Sequence, residues 1–227
     1  METVAHYEGP IRTMSTSLET VLSSVEGINC GCGTKVEPGW LNIDRANLRG
    51  SNAGRVVAGD LAVCGDSAWY LCHDLTCPLP FPSNSVGAAF SEHFIEHLHV
   101  EDAIKWLSEV NRVLQPGAHL RVTTPDLARY MAGYADPSEQ FFERHRTKLV
   151  SLPSVPHRRA WMVNQIFYGW GHRWIYDFEE MRFIGHTAGF EERDIRRCEF
   201  RVGGASSTAK LDHPNRAHET LYVEMLK

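Results

Sequence analysis

The sequence has no stretch near the roughly 20 apolar residues that a membrane-crossing helix needs, so no spanning helix and no membrane partner are expected. Its opening, METVAHYEGPIRTMSTS, lacks the basic segment followed by an apolar one that marks a secretory signal, and a cytoplasmic protein is expected. It also lacks an excess of positive charge. Lys and Arg number 23 against 28 Asp and Glu, a formal net charge of -5, which leaves no global field to hold a phosphate backbone and argues against nucleic acid as the main ligand. Cysteines are few, six in 227 residues and mostly inside apolar runs, which reads as reduced thiols rather than a disulfide framework. Cys30, Cys32, Cys72 and Cys77 miss the two-residue spacing of the usual zinc pairs. There is no internal repeat and no low-complexity tract.

What is present is globular and reads as α/β. With 43% hydrophobic and 22% charged residues the chain can bury a sizeable core. Its length suits one elaborated domain. Residues 15–25, STSLETVLSSV, set Leu18, Val21, Leu22 and Val25 at helical spacing behind Ser/Thr caps. INCGCG is an apolar run that meets glycines, WLNID one that ends at Asp44, AWYLCHDL one that ends at Asp74, and AAFSEHFIEHL a fourth. Strands of a parallel sheet look like this when ligand-binding loops follow their carboxyl ends. VEDAIKWLSEVNRVLQPG sets Ala103, Ile104, Leu107, Val110 and Leu114 on one helical face, and Pro116-Gly117 stops that helix before the strand AHLRVTTPDL. The order predicts a Rossmann-like, doubly wound, mostly parallel sheet in a single domain. Within it, 26–127 is the core, 1–25 a helical lid and 128–176 an aromatic, helical cap. Residues 177–227 supply a helix closed by Gly189 and two strands, DIRRCEFRV and ETLYVEMLK, paired antiparallel at the sheet edge, with GGASSTAKLDHPNRAHE as the loop between.

Cys30-Gly31-Cys32-Gly33 at the end of the first core strand lets the backbone approach a ligand closely. The glycine pattern of a phosphate-binding P-loop is missing. Asp44, ending the next strand, offers a carboxylate to both hydroxyls of a ribose, and Asp74 ends the third. Three successive strand ends thus describe one nucleoside pocket.

The text INCGCGTKVEPGWLNIDRA, then HDLTCPLPFPSNSVGAAFSEHFIEHL, then VNRVLQPGAHLRVTTPDL resembles class I S-adenosylmethionine-dependent methyltransferases of the small bacterial type. The resemblance covers about residues 26–127, and the helix-plus-strand ending of that family fits 177–227. It implies S-adenosyl-L-methionine as cofactor. Gly31 and Gly33, between Cys30 and Cys32, would line its methionine end, and Asp44 would hold the ribose. His73, Asp74 and Leu75 would surround the adenine, and Ser91, Glu92 and His93 would line the floor beside the sulfonium. Gly33 and Asp44 are so close in sequence that the helix usual between these strands is shortened or absent. The same spacing speaks against a nicotinamide dehydrogenase, whose fingerprint wants a third glycine and an acidic residue about 20 positions on.

His93-Phe94-Ile95-Glu96-His97 literally matches the H-x-x-E-H string of one zinc peptidase class. It sits at a strand-to-helix turn, not on one established helix with a further ligand from elsewhere, so no metal is expected and the histidines are read as lining the pocket. Trp161, Phe167, Tyr168, Trp170, His172, Trp174 and Tyr176 either pack the cap or wall a sulfonium, a contact worth about 2 kcal/mol when desolvated. Tyr176, His172 and His93 are the catalytic candidates, placed to orient an acceptor or take its proton. Arg144, Arg146, Lys148, Arg158 and Arg159 read as a solvated face, while Arg173 is the better candidate to grip a carboxylate. The expected function is methyl transfer to a small molecule, such as a natural-product or sugar intermediate in biosynthesis. Two alternatives stand beside it: a methyltransferase-like cyclase that closes the cofactor to azetidine-2-carboxylate and methylthioadenosine, and a nucleoside-binding protein without turnover.

Overall fold

The computed structural model describes residues 4–138, 140–149 and 158–227, the side chains of 148 and 149 excepted. Strands β1 (Val4–His6) and β2 (Ile11–Thr13) precede helix α1 (Leu18–Leu22), which Ser17 caps by accepting the Thr20 N–H. The helix is shorter than its apolar spacing predicts, and the two strands before it carry no sequence signal. Next come β3 (Ile28–Cys30), β4 (Leu41–Asp44), β5 (Asn47–Arg49), β6 (Arg55–Val56), β7 (Leu61–Cys64), β8 (Ala68–Cys72) and β9 (Val86–Glu92). They lead to α2 (Val100–Val113) and β10 (Leu114–Pro125), then to the cap helices α3 (Leu127–Ala135), α4 (Gln140–Leu149) and α5 (Arg159–Tyr168). The chain closes with α6 (Phe178–Thr187), β11 (Ile195–Cys198), the short α7 (Ser206–Ala209) and β12 (Thr220–Leu226).

Nine strands form one sheet in the order β11-β12-β10-β9-β3-β4-β8-β7-β2, while β1, β5 and β6 make a separate small sheet. The five central strands β10, β9, β3, β4 and β8 run parallel. Antiparallel strands extend both edges, β12 and β11 on one side and β7 and β2 on the other. The predicted mostly parallel sheet and the C-terminal antiparallel pair are thus observed. Strand order reverses between β3 and β9, the switch point at which open α/β sheets bind ligands. No helix lies between β3 and β8. The missing helix after β3 is as expected from the sequence; the second crossover, made of β5, β6 and β7 instead of a helix, is not. Those strands are two to four residues long and interrupted by Gly, Ser and Asn, too short to give a periodic signal.

Period-two alternation sorts the central strands into two faces. Ile28, Leu41, Ile43, Ala89, Leu120, Val122, Leu221, Val223 and Met225 point one way and pack against Val21 of α1, Leu107 and Val110 of α2, and Met181 and Ile184 of α6. Their neighbours Asn29, Asn42, Arg121, Thr123 and Glu224 point the other way and are also buried. Asn29 Nδ2 donates to Asn42 Oδ1 at 2.8 Å. Arg121 donates through Nε and Nη2 to both Asp212 oxygens at 2.8 and 2.7 Å, and through Nη1 to Glu224 Oε1 at 2.9 Å. The Glu199 and Val202 carbonyls accept its remaining N–H groups. The segment expected as loop contains α7 and is pinned here, since Asp212 accepts the Arg201 N–H and Glu224 the Gly204 N–H. In the cap, α3, α4 and α5 bury Tyr130, Phe142, Met162 and Ile166 in a core of their own. All six cysteines are free thiols.

Candidate active site

The site lies at the carboxyl ends of β3, β4, β8 and β9. Gly31 and Gly33 adopt φ of +70° and +56°. A Cβ on Gly31 would stand 2.3 Å from the Phe94 ring, whereas one on Gly33 would meet nothing within 4 Å. The first glycine is required by packing and the second by backbone shape beside open space. Asp44 braces the turn: Oδ2 accepts the Gly33 N–H at 2.8 Å and Oδ1 the Ala46 N–H at 2.9 Å. Beside it opens a cleft of about 570 Å³ lined by Gly31, Asp44, Asp74, Leu75, Phe94 and His97, with Trp170 and Arg173 from the cap side. That volume lies within the usual range for ligand pockets. A further cavity of about 250 Å³ runs along the other side of the glycine turn, past Cys32, Gly33, Lys35 and Glu92.

A second chamber of about 280 Å³ adjoins the cleft, lined by Glu96, His172, Arg216 and Glu219, and shares His93, His97 and Trp170 with it. His93 takes φ +48°, left-handed for a side-chain-bearing residue. Its Nε2 lies 3.0 Å from Thr220 Oγ1, whose own proton goes to the Arg216 carbonyl, so Nε2 is the donor. Its Nδ1 accepts Arg216 Nη1 at 3.1 Å. Burial, helped by Arg216, pushes the His93 pKa down to about 3, so the ring is neutral. Glu96 is fully buried; Thr124 Oγ1 donates to its Oε2 at 3.1 Å, and Oε1 stands 3.2 Å from His93 Nδ1. Because that nitrogen already accepts from Arg216, Oε1 has no hydrogen bond and faces a lone pair. Burial raises the Glu96 pKa. The Glu96 carbonyl accepts the Arg173 and Trp174 N–H groups, tying the end of the cap to the turn after β9.

The histidines are held from behind. His172 Nδ1 lies 2.7 Å from the Ile166 carbonyl and donates to it, and the His97 ring packs edge-on against the His172 ring, centroids 4.9 Å apart. Beyond the chamber, Tyr130 donates to Glu219 Oε2, and His145 Nδ1 and Arg216 Nη1 each stand 3.6 Å from that carboxylate. Burial raises the Glu219 pKa.

Gly31, Asp44, Asp74, Leu75 and His93 meet in the cleft, Gly33 faces the cavity on the other side of the turn, and His172 joins His93 in the chamber. Asp74 lies two residues past the end of β8; burial pushes its pKa up, but the N–H and hydroxyl of Thr76 outweigh this and hold it low. His73 turns its Nε2 to the Pro78 carbonyl at 3.1 Å. Glu92 sits on the glycine side, bonded to Lys35 Nζ and the His213 N–H. Ser91 and Cys30 lie on the apolar face of the sheet, buried, with the Cys30 thiol pushed up to about 12 by burial. Cys32 is buried beside Asp44, which together with burial raises its pKa. Tyr176 is buried in the main core, its hydroxyl without a hydrogen bond and its pKa raised by burial, and it lines neither the cleft nor the chamber. Of the aromatic stretch, Trp170 reaches both spaces, while Tyr168, Trp174 and Phe167 face solvent. Of the basic set, the Lys148 side chain falls outside the described residues. Sequence reasoning missed Arg216 and Glu219, which sit in a polar stretch read as loop; it read His97 as lining the pocket and weighed Glu96 only as part of a peptidase string.

Residues 28–122 match the model of the family described as methyltransferase domain. That match supports a class I S-adenosylmethionine-dependent methyltransferase, with S-adenosylmethionine as its cofactor. No curated protein matches the chain. Among solved structures, the chain is similar to a methyltransferase from Mesorhizobium loti (18% identity, 92% of this chain and 95% of that one, TM-score 0.45). A SAM-dependent methyltransferase from Thermotoga maritima gives 15% identity, 92% of both chains and a TM-score of 0.45. A candidate O-methyltransferase from Nostoc punctiforme gives 11% identity over 70% of this chain with a TM-score of 0.40, and there the chain spans 36% of the other protein's length. Likenesses this distant add nothing to the family match and the geometry.

Proposed function

We propose that the chain transfers the methyl group of S-adenosylmethionine to a small-molecule acceptor in a biosynthetic reaction in the cytoplasm. The observation that carries the reading is the junction of two spaces at His93, His97 and Trp170, one beside a glycine turn and Asp44, the other polar and large enough for a second molecule. The residues fit the cofactor: the backbone at Gly33, beside open space, leaves room for a close approach, and Asp44 keeps lone pairs beyond those given to Gly33 and Ala46 for two ribose hydroxyls. When bound, S-adenosylmethionine supplies an activated methyl carbon on a cationic sulfur. Leu75 and Asp74 flank the adenine, Glu92 lies near the methionine end, and the exposed Trp170 gives the cation an aromatic face.

The protein's share of such a reaction is positioning, water exclusion and handling of the acceptor proton. His97 and His172 line the space where an acceptor hydroxyl or amine would sit, and Arg216 and Glu219 set the charge around it. A separate acceptor chamber favours transfer to a second molecule over closure of the cofactor on itself. The test is incubation with S-adenosylmethionine alone and then with a fractionated small-molecule extract. The cofactor should stay intact in the first case and become S-adenosylhomocysteine in the second. Stoichiometric methylthioadenosine from protein and cofactor alone would make the cyclase the answer, and cofactor binding without product from any fraction would favour a non-catalytic binder.

A further inference from the structure

We infer that Glu96, His97 and His172 form a binding site for a divalent transition-metal ion on the wall of the acceptor chamber. One ligand atom from each lies within 4.8 Å of the others. An ion about 2.1 Å from each would draw them together by about an ångström, a movement open to the exposed His97. The set differs from the one the H-x-x-E-H string suggests. His93 is turned away, committed to Thr220 and Arg216, and its place is taken by His172 from the far end of the cap.

Two independent features point to a ligand. The first is the second shell: His172 gives its Nδ1 proton to the Ile166 carbonyl, which orients the ring with its other nitrogen free, and the His97 ring stands edge-on to it with centroids 4.9 Å apart. Metal-bound histidines are held in this way, which fixes tautomer and direction. The second is Glu96 Oε1, a fully buried carboxylate oxygen without a hydrogen bond, set against a histidine nitrogen that has no proton to give. Thr124 fixes the other oxygen, and the Glu96 main chain is clamped by Arg173 and Trp174. Buried polar groups left unpaired are rare, and a cation satisfies this one.

Two imidazoles and one carboxylate select zinc or another first-row divalent ion over magnesium or calcium, which prefer all-oxygen shells. Three protein ligands leave coordination positions open, and the chamber is the space onto which they open. An acceptor hydroxyl or amine bound there is oriented toward the neighbouring cleft and made more acidic, its proton passing to water. This role toward the acceptor rests on the methyl-transfer reading; the metal affinity does not.

The experiment is titration of the chelator-treated full chain with Co²⁺, read by its visible absorption, with zinc competition and elemental analysis giving stoichiometry. Cofactor affinity is measured on the same samples by calorimetry. One high-affinity ion per chain is expected, displaced by zinc. His97→Ala and His172→Ala should each weaken it by at least about 100-fold, since losing even an outer-shell partner of a metal ligand costs about 10- to 100-fold. Both variants should keep the wild-type circular dichroism spectrum, which separates loss of a ligand from loss of the fold. Absence of a saturable Co²⁺ band, or equal affinity in wild type and both variants, would overturn the site. Failure to bind S-adenosylmethionine with the Co²⁺ band intact would instead sink the proposed function and leave the metal site standing.

Discussion

The two faces of the sheet solve the same covering problem with opposite chemistry. On one, α1, α2 and α6 lay apolar side chains over Ile28, Leu41, Val122 and Val223. On the other, where β3, β9, β10 and β12 would ordinarily meet helices, the cover is coil with the short α7, and the strands present Asn29, Asn42, Arg121 and Glu224. Helices satisfy their own backbone and need only an apolar stripe, whereas coil brings unpaired N–H and C=O groups that the sheet must answer. Arg121, Asp212 and Glu224 answer them at Glu199, Arg201, Val202 and Gly204. Oil holds one side, and the Arg121 network, beside the small apolar cluster of Trp40, Ala88 and Phe90, holds the other.

The contrast breaks hardest at Arg121. Arg121→Met leaves two buried carboxylates facing each other and should cost about 3–5 kcal/mol in urea unfolding. The triple change Arg121→Met, Asp212→Leu, Glu224→Leu should recover only part of that, because the coil's backbone groups then lose their partners; full recovery would mean that the network merely fills space. On the apolar face, Leu107→Ala should cost about 2–5 kcal/mol with nothing left unpaired.

Next in size is a pH effect in the cap. Burial, then His218 and Arg216, hold the His145 pKa down to about 4, from an ordinary value near 6.5. Between those values the unfolded chain carries a proton that the folded chain refuses. Stability therefore falls as pH drops from 6.5 to 4, by about 3 kcal/mol for this group, and is unaffected by it above that window. Urea midpoints at pH 7 and pH 5 should differ more for wild type than for His145→Gln; equal differences would remove His145 from the account.

Asp44 has the outward parity of the polar face. Asp44→Ala should weaken S-adenosylmethionine by about 1.5–3 kcal/mol in calorimetry, since it removes charged acceptors and loosens Gly33 as well. Unchanged affinity would detach the ribose from this residue. The smallest effect belongs to Gly33→Ala, about 1 kcal/mol in thermal unfolding for its left-handed φ alone. Gly31→Ala should cost more, because its Cβ meets the Phe94 ring.

The apolar face was the legible half. α2 announces itself through Ala103, Leu107 and Val110, and β3, β4 and β9 through runs that stop at polar turns. The polar face was hidden because Arg121 and Glu224 look like solvent residues in a one-dimensional pattern, and their partners lie more than 75 residues away in sequence. The cleft could be read for the same reason as the strands, since Gly31, Gly33 and Asp44 sit at strand ends. The chamber could be read only in part: His93 and His172 stand out as candidates, while Arg216 and Glu219 come from a polar stretch whose sequence carries no period.

The helix-free crossover after β3 also sets the electric field of the cleft. Where a helix begins at such a glycine turn, its amino end contributes about half a positive charge, the feature that draws phosphates. Here the chain runs from Gly33 through a turn to Asp44, and α2, whose start borders the cleft, opens on Glu101 and Asp102. The cleft sets Asp44, Asp74 and Asp102 against Arg45 and Arg173, with no helix dipole at β3 to add positive charge. Without that dipole the turn lacks the feature that draws a pyrophosphate, so selectivity against dinucleotides is built into the backbone path as much as into the side chains.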